Sequence, residues 1–169
     1  TKEKWGRGCI ILPLRNVAGE VVSLYGRAIK GSSHYYTAGR SGLYPGYPPA
    51  ATTTLLLTES VLDAASLYQL EGLSVLALYG TNGLTAEHKT AIAALTELEE
   101  IILALDNDPA GVKATEVITA ELMQLKPGLT LSFLALPEGS DVNKVASQAE
   151  NVPATFGDLV ARRKAINLP

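Results

Sequence analysis

The chain changes rhythm near residue 50. Before it, apolar residues come in short runs or alternate with polar ones. "GCIILPL" and "EVVSLYGRAI" are separated by "RNVAGE", whose Asn and Gly suit a turn. The pattern predicts a β-hairpin, with a third short strand near "HYYTA". "AGRSGLYPGYPPAATT" is dense in Gly and Pro and predicts a long loop, with a subdomain boundary around residues 45–53.

Beyond that loop, apolar strands alternate with helical spacing. "TTLLLTE", "LSVLALYG", "EIILALD" and "LTLSFLAL" read as strands. "SVLDAASLYQLEG", "TAEHKTAIAALTEL", "AGVKATEVITAELMQLK" and "SDVNKVASQAE" read as helices, two of them stopped by Gly72 and by Pro127-Gly128. The order β-α-β-α-β-α-β predicts an α/β fold with a four-stranded parallel sheet covered by helices on both faces. "ATFGDLVARRKAI" predicts one more helix. The expected division is a basic β-rich subdomain over residues 1–50, an α/β domain over 51–150 and a C-terminal helix over 151–169.

Composition narrows the classes. One cysteine, Cys9, excludes an internal disulfide framework and fits a cytoplasmic protein. With only His34 and His88 beside it, a Cys/His zinc site within the chain is excluded too. No stretch approaches the roughly 18 apolar residues of a membrane span, and no secretion leader opens the chain. The abrupt start at "TKEKWGRG" suggests a piece of something longer.

Charge is unevenly spread. Residues 1–50 carry seven Lys and Arg against two acids; residues 51–150 carry four Lys against fourteen acids. A basic lobe beside an acidic lobe suits an anion held next to metal ions. Ordinary surface scatter is the alternative.

In parallel α/β sheets, ligands collect at the carboxyl ends of the strands. Glu59 ends the first strand, with Asp63 a helical turn further on; "YGTNG" follows the second; Asp106 and Asp108 follow the third; Glu138 and Asp141 follow the fourth. Such acids repel one another unless hard cations with oxygen ligands, typically Mg²⁺, sit among them. In extended chain, residues i and i+2 point the same way, so Asp106 and Asp108 can face one site with Asn107 turned away. Pro109 then starts a helix, and Gly111 permits close approach. The plainer readings are that Asp106 is a turn or helix-cap residue, and that Glu59 is an N-cap or first-turn acid of the following helix.

A Glu after the first strand, a Gly after the second and a DxD after the third resemble the Toprim domain. That domain is shared by primases, topoisomerases, small nucleases and recombination proteins. The chain is most similar to the catalytic core of bacterial-type DNA primases. "LDNDPAG" resembles that family's D-x-D-x-A-G, "LPEGSDVNKV" its P-D-G-x-D-P-D segment, and "LPLRNVAGEVVSLYGRAI" its basic strand-turn-strand. "HYYTAGRSGLYPGY" resembles the stretch joining the two parts. The resemblance covers residues 8–150. The chain departs from it at Glu138 and Asn143, each an Asp in the family, and at His34, where Lys is usual.

The resemblance implies a nucleotidyltransferase that makes short RNA primers on single-stranded DNA from ribonucleoside triphosphates with Mg²⁺ or Mn²⁺. It implies metal ligands at Glu59, Asp106 and Asp108, with Asp63 and Asp141 as supporting acids. Glu59 is alternatively a general base. Arg15, Arg27, Lys30 and Arg40 would contact nucleic acid or nucleotide, and Gly80 would let the backbone approach the metals. Tyr35, Tyr36, Tyr44 and Tyr47 either stack on bases or pack on the core edge. A replicative helicase would be met through regions absent here, and the source would be a mobile element. The alternatives are a Toprim nuclease or topoisomerase-related fragment, and a non-catalytic Toprim module.

Overall fold

The computed structural model describes residues 5–80 and 84–166. Of the expected "YGTNG" turn, Thr81, Asn82 and Gly83 lie outside the described residues.

The amino-terminal part is a three-stranded antiparallel sheet of β1 (Cys9–Arg15), β2 (Val21–Ala28) and β3 (His34–Tyr36), in the order β1-β2-β3. The first turn follows from Asn16. Its side-chain oxygen accepts from the amides of Ala18 and Glu20, each at 3.0 Å, and Gly19 takes the positive φ of 79° that the turn demands.

The Gly- and Pro-rich stretch is not the exposed linker that its composition suggests. Leu43 exchanges two backbone hydrogen bonds with Arg15, both 2.9 Å, and is fully buried. The carbonyl of Tyr44 accepts from the amide of Ala77 at 2.9 Å, so this segment covers a sheet edge. An edge amide left without a partner would cost about 1–3 kcal/mol, which is why the chain binds here.

The second sheet contains β4 (Thr54–Thr58), β5 (Ser74–Ala77), β6 (Glu100–Ala104), β7 (Thr130–Phe133) and β8 (Lys164–Ala165), in the order β5-β4-β6-β7-β8. The first four are parallel, as their spacing predicts. Between them run α1 (Val61–Tyr68), α2 (Ala86–Ala93) and α3 (Pro109–Leu125). Then come α4 (Val142–Gln148) and α5 (Val152–Ala161).

Successive residues of the central strands feed opposite cores. Leu55, Leu57, Ile101 and Leu103 pack with Ile92 of α2 and with Ile118 and Leu122 of α3. Leu56, Ile102 and Ala104 pack with Val61, Leu67, Val142 and Phe156, and with Leu14 and Tyr25 of the small sheet. The small sheet therefore shares a core with α1, α4 and α5 rather than standing apart.

The tail corrects one expectation. α5 stops at Ala161, and the chain turns into β8, which runs antiparallel to β7 as a fifth strand. Arg163 explains the turn: its guanidinium grips both carboxylate oxygens of Glu100 at 2.6 and 2.8 Å, and Ser132 donates to the same carboxylate. That fork depends on a residue 63 positions away in sequence, so helical spacing in the tail gave no sign of it.

Candidate active site

The chain leaves β4 for β5 on one side and places β6 on the other, so the strand order reverses between β4 and β6. Crevices at such switch points are where α/β sheets bind ligands. Thr58 of β4 pairs with Ala104 of β6, which sets Glu59 and Asp106 just beyond the carboxyl ends of adjacent strands.

Local caps hold the acids in place. Ser60, not Glu59, is the N-cap of α1; its hydroxyl accepts from Asp63 N, and Asp63 answers Ser60 N in a capping box. Glu59 is thus free of capping duty, and its Oε2 is buried with no hydrogen-bond partner. Asp108 is the N-cap of α3, accepting from Gly111 N at 2.8 Å, and Pro109 opens the helix. Asp141 caps α4 through Lys144 N. The capping reading of Asp106 and Glu59 therefore fails: the caps are Asp108, Asp141 and Ser60 instead.

Asn107 turns away from the acids, as its position between them predicts. Its side-chain amide donates to Leu136 O at 2.6 Å, and its backbone bonds Ser140 O and Gly139 N. These bonds tie the Asp106–Asp108 loop to the loop carrying Asp141. Asp63 makes a similar tie that sequence reasoning missed. Buried at 3% exposure, it accepts from Ser60 N, Ser60 Oγ and Asn143 N. Asn143 also accepts from Ser66 Oγ at 3.1 Å, so the residue that departs from the family's Asp joins α4 to α1. Three donors occupy the Asp63 carboxylate.

The electrostatics follow from this crowding. Burial, then Glu59, Asp63, Asp141 and Asp108, push the Asp106 carboxyl up to about 7. Burial raises Glu59 as well; the Asp106 amide opposes this, and the charges of Asp108, Asp63 and Asp141 reinforce it. Burial also lifts Asp63, against its three donors. The structure thus brings all five expected acids within electrostatic reach. Among the described residues, no three ligating groups converge tightly enough to hold an ion as they stand. An all-oxygen set, strongly self-repelling and with an orphaned buried oxygen on Glu59, fits a hard divalent cation once side chains rotate inward.

The basic residues separate. Arg27 lines a cavity of about 200 Å³ with Tyr25, His34, Tyr36, Glu59 and Tyr79, so it shares a cavity with one acid of the site, Glu59. Gly80 is there too, with φ 89°, and its amide donates to Glu59 O at 3.1 Å. Arg15 donates to Gly19 O and lines another cavity, beside Pro45, Tyr47 and Tyr68. Lys30 lies exposed in the turn after β2. Arg40 stacks on two tyrosine rings. Of the four tyrosines, Tyr44 is buried, Tyr47 donates to Glu87, and Tyr36 packs on Tyr25 and Tyr79; Tyr35 is 47% exposed. On the other side of the acids, Asp106 and Asn107 border a cavity of about 480 Å³ floored by Leu103, Leu105 and Phe133, with Lys164 on its wall.

Known proteins are similar to this chain in sequence and fold. The DNA primase of Neisseria meningitidis serogroup A is 33% identical over 146 residues, covering 78% of this chain and 24% of that protein. The chain thus spans about a quarter of the length of that relative. The Aquifex aeolicus primase, solved with its zinc-binding and RNA polymerase domains, superposes with a TM-score of 0.77 at 19% identity, over 98% of this chain and 43% of that one. A primase catalytic domain bound to single-stranded DNA superposes with a TM-score of 0.72 at 20% identity, over 94% and 52%. Residues 56–146, from β4 into α4 and spanning every acid of the site, match the Toprim-like family. The acids at the β4–β6 switch point lie within that matched region, and this chain belongs to the Toprim-like family.

Proposed function

We propose that the chain is the catalytic core of a cytoplasmic DNA primase, a nucleotidyltransferase that makes RNA primers on single-stranded DNA during replication. One observation carries the reading: Glu59 and Asp106 stand at the ends of adjacent strands, with Arg27 facing Glu59 across a shared cavity. A carboxylate centre facing an arginine suits a reaction between phosphates.

Glu59, Asp106 and Asp108 would hold Mg²⁺ or Mn²⁺. When bound, such ions lower the pKa of an attacking hydroxyl and steady the charge on a leaving pyrophosphate. Asp63 and Asp141 stay on the helix caps and position the two loops. Glu59, raised by burial, is alternatively the base that takes the 3′-hydroxyl proton. Arg27 offers a planar fork to phosphate oxygens of template or ribonucleoside triphosphate. Lys30 and the exposed ring of Tyr35 extend that surface, the ring as a platform for a base.

The N. meningitidis relative is named a DNA primase, and the single-stranded DNA complex superposes over nearly the whole chain. Both support this reading over a nuclease, a topoisomerase fragment or a module without activity. Helicase contact and origin in a mobile element belong to the same proposal and rest on the resemblance alone.

The test is one gel. The protein is incubated with single-stranded DNA, labelled ribonucleoside triphosphates and Mg²⁺ or Mn²⁺, beside Asp106→Asn. Template-dependent products lost in the variant are expected. Labelled DNA shortened by the wild type, and not by the variant, would replace the primase with a nuclease.

A further inference from the structure

Arg40 was expected on the phosphate track. Its guanidinium instead lies 4.8 Å from the ring centre of Tyr36 and 4.6 Å from that of Tyr79. Tyr36 belongs to β3 of the small sheet, and Tyr79 follows β5 of the large one. The two rings also meet edge to face, with centroids 5.7 Å apart. Arg40 is exposed, and among the described residues no acid forms an ion pair with it, so the two rings are the partners its guanidinium meets.

Tyr79 is held firmly from three further directions. Its hydroxyl donates to the carbonyl of Gly42, and its ring rests edge-on against His88 at 5.2 Å. The next residue, Gly80, donates its amide to Glu59 O. Glu87 accepts from both Gly42 N and Tyr47 Oη at 2.8 Å, anchoring the segment that carries Arg40 to α2. On the other side, Tyr36 packs against Tyr25, whose neighbour along β2 but one is Arg27. Tyr25, Tyr36 and Tyr79 all line the cavity that holds Glu59 and Arg27.

We propose that Arg40 is a positioning residue: by lying over both Tyr36 and Tyr79 where they meet, it sets the distance between Arg27 on the small sheet and Glu59 on the large one. A guanidinium does this because it is planar, weakly hydrated and broad enough to touch two inclined aromatic rings at once. Lysine carries the same charge as a compact, strongly hydrated point and covers one ring at a time. The width of the cleft is thereby separated from phosphate contact, which falls to Arg27.

The test compares Arg40→Gln and Arg40→Lys with the wild type, by two measurements. The first is the distance between spin labels on the two sheets' sides, at Ser33→Cys and Ser147→Cys in a Cys9→Ser background. The second is the salt dependence of binding to a fluorescent oligothymidylate. Arg40→Gln should broaden and shift the distance distribution, Arg40→Lys should fall between it and the wild type, and both should remain folded. Oligothymidylate binding should weaken by about tenfold in Arg40→Gln, the scale of two exposed cation–π contacts, with an unchanged salt slope. A distribution identical to the wild type overturns the proposal, whatever the affinity does. A salt slope shallower by about one also overturns it, because Arg40 would then be neutralising a phosphate. The consequence for binding rests on the primase reading. The distances do not, so a protein that ignores the oligonucleotide would sink that reading and leave the spin-label result to decide this one.

Discussion

A Cβ on Gly111 would stand 1.9 Å from the carbonyl oxygen of Asp106 and 2.9 Å from its carbonyl carbon. The first turn of α3 thus rests directly on the backbone that presents Asp106 and Asp108. Gly111 sits there for closeness, with no positive φ involved. Its amide also bonds the Asp108 carboxylate, so one residue fixes both aspartates.

Gly111→Ala should therefore be severe. Backbone cannot swing aside as a flexible side chain can, so α3 must move off the Asp106 loop. The expected loss is about 3 kcal/mol or more, read as a lower urea midpoint at unchanged slope. A variant as stable as the wild type would show that α3 is not seated on Asp106.

Asp106→Asn should separate stability from activity. The Asp106 carboxyl titrates near 7 when folded, against an ordinary 3.8. Its ionised form is therefore disfavoured by folding, and without metal this group contributes stability only as pH falls through about 7. The metal-free wild type should melt higher at pH 6 than at pH 8 on this account, and Asp106→Asn should flatten that trend. Primer synthesis should drop by about 100-fold or more. Millimolar Mg²⁺ or Mn²⁺ should raise the wild-type melting point and leave the variant unmoved; an equal rise in both would remove Asp106 from the metal.

Asp63→Ala should do the opposite to stability. It strips partners from Ser60 N and Asn143 N at a buried spot joining α1 to α4. The expected cost is about 1–3 kcal/mol, with metal affinity lowered less than in Asp106→Asn. A metal-binding loss as complete as that of Asp106→Asn, at wild-type stability, would instead make Asp63 a ligand.

His88 should give the protein an acid limit. Its Nδ1 accepts from Thr85 N, so Nε2–H donates to the Ala77 carbonyl at 2.9 Å, and the neutral ring is fully buried. Burial holds its pKa below the ordinary 6.5. The stability is whole above 6.5 and drains as pH falls below it, at up to about 1.4 kcal/mol per pH unit. Because Asp106 has the opposite slope in this window, denaturant titrations of Asp106→Asn between pH 7 and pH 5 should show the His88 slope, and adding His88→Gln should remove it.

Arg27→Ala should weaken oligonucleotide binding and make its salt dependence shallower by about one phosphate. An unchanged slope would take Arg27 off the phosphate track.

Much of this was legible in local sequence. Apolar runs such as "TLLLT" and "EIILA" read as buried parallel strands because both faces are covered by helices, and periodicity reports that directly. Pro109 read as a helix start because its fixed φ suits the first turn, though the caps at Ser60 and Asp108 went unread. The acids at strand ends were visible one by one, and a shared motif joined them.

What periodicity could not carry was adjacency. That β6 lies beside β4, bringing Asp106 to Glu59, depends on strand order, which hydrophobic spacing does not encode. The Gly- and Pro-rich segment read as a loop by composition, yet Leu43 and Tyr44 are buried because a distant sheet edge needed covering. β8 formed because Glu100 reached Arg163 across the fold. Arg40 looked like one more basic residue until two tyrosines from different sheets closed on it. The sequence alone determined the four parallel strands and the helices between them, because those patterns span a few residues. Tertiary structure alone decided which acids meet and which arginine shares a cavity with Glu59, because those contacts join residues far apart along the chain.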